Sequence, residues 1–125
     1  MDMSKKILIV DDDGRNLKLM RILIQNAGYE TLEAENGEEA VRLAKEHIPA
    51  LILMDNRMPV MDGITAAKLL KAEPSTAKIP IIATTASAMK GDRERIIREE
   101  GFDEYVPKPI DTKSFINVLK KYLEG

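Results

Sequence analysis

Residues 51–55 read LILMD, and the tract runs on as NRMPVMDG to residue 63. Four apolar residues, an acid and then a loop bearing Pro and Gly describe a short buried strand whose carboxyl end opens into a turn. Two other runs follow a similar pattern. Residues 7–12 read ILIVDD, and IPIIA at 79–83 runs into Thr84 and Thr85. Short stretches of Ile, Leu and Val joined by segments of helical periodicity predict a mostly parallel sheet flanked by helices, with strands buried on both faces. In such a sheet every carboxyl end points the same way, and the loops leaving those ends form the crevice where α/β proteins bind ligands. Asp11, Asp12, Asp55, Thr85 and Lys108 all fall at such ends. Apolar runs that end in charged residues therefore predict one reactive cluster.

Working outward, KKILIV at 5–10 is the first strand. Gly14 lets the chain turn, and Leu17, Leu19-Met20, Leu23-Ile24 and Ala27 make a helical stripe that stops at Gly28, with Asp13 a candidate cap. Residues 30–34 form a second strand. Asn36 is placed to cap the helix EEAVRLAKEH, with Glu39 at its third position, and Pro49 forces the connection into the strand at 51–54. After the loop at 57–63, where Asn56 or Asp62 can cap locally, come a helix at 64–72, a polar loop around Pro74 and a strand at 80–84. A helix at 88–99 is ended by Gly101, and a weak strand follows at 103–106. The last helix, 112–123, spaces Phe115, Ile116, Leu119 and Leu123 at three and four, with Asp111 or Thr112 as its cap. Strand and helix thus alternate five times, as (βα)5, with loops of ordinary length.

A chain of 125 residues is expected to make one domain, 1–125, too small for a receptor and an effector together, so its output should pass through contact with another molecule. Hydrophobic residues make up 44% and charged ones 32%, with no apolar run near membrane-spanning length and no secretory leader; the expected compartment is the cytoplasm. Nineteen Lys and Arg against 21 Asp and Glu leave a net charge of −2 and no basic stripe among aromatics, so direct nucleic-acid binding is not expected. The absence of cysteine rules out disulfides and thiol chemistry.

Carboxylates held close together repel one another, a cost usually tolerated when a cation or a perturbed protonation state compensates. Mg²⁺ suits an oxygen-only donor set better than zinc would, in a chain with no cysteine and a single histidine, His47. A carboxylate beside a lysine and a hydroxyl can attack phosphorus and become an acyl phosphate, because cation and ammonium neutralise charge on the equatorial oxygens. Asp55, central in the expected sheet, is the nucleophile candidate. Thr84 and Thr85 are adjacent, and period-2 alternation turns only one of them toward the site. His47 reads as a solvated residue, and Met20, Met54, Met58, Met61 and Met89 as packing. The glycines make no nucleotide loop.

The pieces ILIVDDD (7–13), LILMDNRMPVMDG (51–63), IPIIATTASA (79–88) and EYVPKPI (104–110), in this order and at these intervals, resemble the receiver domain of two-component response regulators over essentially the whole chain. The piece AMKGD (88–92) is more similar to small stand-alone regulators of the cell-cycle type and to receivers of hybrid kinases. The resemblance implies a flavodoxin-like doubly wound parallel sheet with strand order 2-1-3-4-5. It implies that Asp55 accepts a phosphoryl group from a histidine kinase or histidine phosphotransfer protein. Asp12 would hold Mg²⁺ directly, Asp11 largely through water, and Arg57 through its backbone carbonyl. Thr85 and Lys108 would bind phosphoryl oxygens, and the Lys108–Pro109 bond would be cis. Arg57 and Ser87 occupy the two variable positions that influence how fast the acyl phosphate hydrolyses.

On this reading, Thr85 moves toward the new phosphoryl group and Tyr105 swings into the volume it vacates, which alters the surface made by residues 88–123 for a downstream protein target. A Mg²⁺-dependent phosphohydrolase would need a cap insertion that the chain lacks. A phosphorylation-independent interaction module is the alternative reading, and the presence of acids, hydroxyl and lysine together argues against it. A DNA-binding regulator would need a further domain, and a receiver cut from a hybrid kinase or a longer regulator would look the same at this length. The oligomeric state is left open.

Overall fold

The computed structural model describes residues 5–56, 58, 60–86, 92–98 and 100–124. Among them, five strands alternate with five helices: β1 (Lys6–Val10), α1 (Gly14–Asn26), β2 (Glu30–Ala34), α2 (Gly37–His47), β3 (Leu51–Asp55), α3 (Gly63–Ala72), β4 (Ile81–Thr85), α4 (Asp92–Arg98), β5 (Glu104–Pro107) and α5 (Thr112–Leu123). The strands pair in parallel in the order β2-β1-β3-β4-β5, as expected.

Side chains alternate across the sheet and build two cores. Leu8, Val10, Ile52, Met54, Ile81 and Ala83 pack under α2, α3 and α4. Ile7, Ile9, Leu51, Leu53, Ile82 and Val106 pack under α1 and α5, where Met20, Ile24, Phe115 and Leu119 meet them. Every residue of β3 and β4 is buried, which explains the apolar runs LILM and IIA that precede their polar ends. Met20 and Met54 are fully buried, while Met58 and Met61 pack against the core. Met89 lies outside the described residues.

Caps form where short polar side chains were expected. Asn36 Oδ1 accepts from the Glu39 amide at 2.8 Å, and Asp13, Asp62 and Asp111 accept from the amides of Arg15, Thr65 and Ser114. Helix α1 ends with Gly28 at φ 98°, its amide bonded to the Gln25 carbonyl and the Tyr29 amide to that of Ile24. This is a glycine-dependent Schellman closure. Helix α2 ends differently, on Ile48 at φ 45° just before Pro49. A following proline disfavours the right-handed helical region, and a β-branched residue takes the left-handed turn instead.

Several element limits move by one residue from expectation. Strands β3, β4 and β5 run on through Asp55, Thr85 and Pro107, and β1 begins at Lys6, not Lys5. Gly37 and Gly63 already belong to their helices. Backbone ladders do not stop where apolar side chains stop. The helix expected at 88–99 is seen as Asp92–Arg98; residues 88–91 and 99 lie outside the described residues.

Candidate active site at the carboxyl edge of the sheet

Strand β1 delivers Asp11 and Asp12 one and two residues past its end, and β3 delivers Asp55 as its last residue. Carboxylate oxygens of the three lie within 4.8 Å of one another. Asp11 is fully buried, Asp55 is 8% exposed and Asp12 is exposed, so the cluster has a closed floor and an open mouth. Asp11 is held by three donors: the Asp13 amide at 2.9 Å, Asn16 Nδ2 at 3.3 Å and Lys108 Nζ at 2.9 Å. The Lys108 ammonium also reaches Asp55 Oδ2 at 3.0 Å, so one cation bridges the two buried acids. Burial works most strongly on Lys108, against its charge. Hydrogen bonds to Asp11 and Asp55, with the charges of both, outweigh that effect and hold its pKa above the usual lysine value.

Lys108 is itself fixed by backbone. Its amide donates to the Thr85 carbonyl at 2.8 Å, and the Lys108–Pro109 bond is cis. Two glycines let the surrounding loops close on the site. A Cβ on Gly63 would fall on the Asp55 carbonyl oxygen and within 2.9 Å of the Asn56 Cα, so α3 starts directly against the end of β3. The Gly37 amide donates to the Met61 carbonyl at 2.8 Å, and a Cβ on Gly37 would meet that carbonyl.

The register across the edge separates the two threonines. Thr84 is the Cα partner of Asp55, and Thr85 is the partner of Pro107. Alternation puts Thr84 with Ile82 on the α1/α5 face and Thr85 with Ala83 on the other, where Tyr105 is half-buried against the core. Arg57 and Ser87 lie outside the described residues.

A network that sequence reasoning missed begins at Asn56, which is 2% exposed. Its Nδ2 donates to Glu100 Oε1 at 3.3 Å, and Arg95 pairs with the other Glu100 oxygen at 2.8 Å. Nothing in a mixed run such as RERIIREE marks one glutamate as buried. Asn16 was missed too, although a polar residue in the first turn after an acid pair is a usable signal.

The donor set is all oxygen. Among the described residues the three carboxylates gather around one ammonium, and the exposed Asp12 leaves room for retained water. Such a group fits a hard divalent cation of the Mg²⁺ type.

The sequence family described as the response regulator receiver domain matches residues 7–120. The chain belongs to the response regulator receiver domain family. This receiver is 49% identical over 121 residues to the polar-differentiation response regulator DivK of Brucella anthropi, covering 97% of the chain and 98% of DivK. The Brucella ovis DivK is 48% identical over the same length. Among solved structures, it resembles the receiver domain of a sensor histidine kinase from Pseudomonas aeruginosa, with a TM-score of 0.88, 32% identity and coverage of 98% and 99% of the two chains. That crystal structure has a magnesium ion coordinated in its active-site cleft. The chemotaxis regulator CheY4 of Vibrio cholerae has a TM-score of 0.87 at 26% identity, over 96% and 99% of the two chains. Both kinds of receiver that AMKGD resembles, small regulators of the cell-cycle type and receivers of kinases, are represented among these similar proteins. None of the described helices is long and apolar enough to cross a membrane.

Proposed function

We propose that this receiver is a cytoplasmic phosphoacceptor of the DivK type, taking a phosphoryl group on Asp55 from a phosphohistidine of a histidine kinase or phosphotransfer protein. The observation that carries the reading is the Lys108 ammonium bridging Asp11 and Asp55 at 2.9 and 3.0 Å beside the third acid, Asp12. In the transfer, the donor's P–N bond breaks as a bond forms between phosphorus and an Asp55 carboxylate oxygen. The imidazole nitrogen keeps the electron pair and takes up a proton.

Asp12 and Asp55, Asp11 through water, and the Arg57 backbone carbonyl would hold Mg²⁺. When bound, the ion supplies charge neutralisation and a template for in-line transfer. Lys108 answers the new phosphoryl charge from the α1/α5 face of the sheet, and the Thr85 hydroxyl answers it from the other. Thr85 and Tyr105 share that second face, so a displacement of Thr85 is felt by Tyr105 and by α4, whose Ile96 packs there. The surface from 88 to 123 is the output face, read by a downstream protein target.

Borohydride reduction locates the acceptor. An acyl phosphate formed with acetyl phosphate and Mg²⁺ is reduced to homoserine, and peptide mapping reads its position. Homoserine at 55 supports the proposal. Homoserine at 11, 12 or 62, or none at all, contradicts it.

A further inference from the structure

Asn16 makes a contact that its own helix does not call for. It lies in the first turn of α1, where asparagine is a poor helix former, and Asp13 already caps that helix by accepting from the Arg15 amide at 2.9 Å. The Asn16 backbone amide bonds the Asp13 carbonyl at 3.1 Å, so the turn closes without the carboxamide. Asn16 Nδ2 donates instead to Oδ2 of Asp11, 3.3 Å away, on a carboxylate that is fully buried. Asp11 is thereby held at both oxygens from one short segment, since the Asp13 amide donates to its Oδ1 at 2.9 Å. Lys108 Nζ also reaches Asp11 Oδ2, at 2.9 Å, but that ammonium is shared with Asp55. The donors differ in kind. Amide and carboxamide are neutral, so they orient the carboxylate and leave its charge in place, whereas the ammonium offsets charge and serves a second acid.

We propose that Asn16 is a positioning residue for the divalent cation: its carboxamide, together with the Asp13 amide, fixes the orientation in which Asp11 meets the water shell of the ion. The inference rests on the reading of Asp11, Asp12 and Asp55 as the Mg²⁺ site. On that reading Asp11 acts through water. A coordinate bond helps to align a direct ligand, but a carboxylate that works through water takes its orientation from the protein around it. A donor on each oxygen restrains rotation about the Asp11 Cβ–Cγ bond, and the two neutral donors hold it whichever acid the ammonium favours. Asn16 acts here through Asp11.

The test titrates Mg²⁺ alone into the full chain by isothermal calorimetry, with thermal unfolding of the metal-free proteins alongside. Asn16→Leu has nearly the shape of asparagine and no donor. It should bind Mg²⁺ about three- to tenfold more weakly than the wild type, the worth of one hydrogen bond, and Asn16→Ala should match it. In an Asp11→Ala background, where the carboxylate to be oriented is gone, Asn16→Leu should leave the remaining affinity unchanged. Wild-type affinity in both Asn16 variants overturns the proposal. A loss of the same size with and without the Asp11 carboxylate also overturns it, because the effect would not pass through Asp11. If both variants lose cooperative unfolding, Asn16 holds the fold and not the orientation of Asp11, and the proposal fails. A wild type that takes up no Mg²⁺ overturns the metal reading and this one with it, a result told apart by the wild-type titration alone.

Discussion

Replacing Lys108 with methionine keeps roughly the length of the side chain and removes its charge, taking away the ammonium that bridges Asp11 and Asp55. Lys108 Nζ makes two charge-assisted contacts, 2.9 Å to a carboxylate that is fully buried and 3.0 Å to one whose side chain is 12% exposed. Removing one partner of a fully buried ion pair costs about 3–5 kcal/mol. Lys108 retains 16% exposure, and water can relax into the open mouth beside Asp12, so about 2–4 kcal/mol is expected here. Equilibrium urea unfolding at neutral pH, followed by far-UV circular dichroism, should show the midpoint falling by about 1–2 M at the slope usual for a small domain. Lys121→Met is the control. Its pair with Glu104 at 3.2 Å has a lysine 63% exposed, and its loss should stay under about 1 kcal/mol. Saturating Mg²⁺ should shrink the Lys108→Met deficit, because a bound cation neutralises the same acids. A deficit no larger than that of Lys121→Met, or one that Mg²⁺ leaves unchanged, refutes the bridging role assigned to Lys108.

The folded pKa of Lys108 is raised above the ordinary value of 10.5, so its contribution is fully present below pH 10.5 and is lost only as pH rises through the folded value. The stability gap between wild type and Lys108→Met should therefore stay flat from neutrality to that pH and close above it, as read by urea midpoints across the range. Ile48→Gly should stabilise the chain by about 1 kcal/mol, since a β-branched residue at φ 45° and 48% exposure pays for a turn that glycine makes freely; a lower thermal midpoint contradicts this. Gly63→Ala forces a methyl group onto backbone that cannot yield, and should cost about 3 kcal/mol or more while shifting the amide resonances of Asp55 and Asn56. A neutral effect would mean that α3 does not start against β3.

The central strands β1, β3 and β4 were legible because they are buried on both faces. ILIV, LILM and IPIIA carry no polar interruption, and the helices between them announce themselves by stripe and cap, as at Asn36 and Asp111. Strand order was not legible from pattern and came with the family resemblance. The acids at 11, 12 and 55 could be grouped in advance because a parallel sheet brings all its carboxyl ends to one edge. What could not be read depends on register and on distant partners. The choice of Thr84 as the residue opposite Asp55 is a property of the β3–β4 ladder, and one residue of slip would reverse it. Glu100 lies 44 residues from Asn56, and its burial follows from how α4 and the turn at Gly101 pack. The left-handed Ile48 was hidden because a proline two residues past a helix signals a stop without saying which residue turns.

The most direct measurement is intact mass after incubation with acetyl phosphate, with and without Mg²⁺, for the wild type and Asp55→Asn. Phosphorylation of Asp55 requires a gain of about 80 Da in the wild type with Mg²⁺, and no gain without the ion or without the carboxylate. A gain that persists in Asp55→Asn, or a wild type that takes up nothing when quenched within seconds, would contradict the central claim.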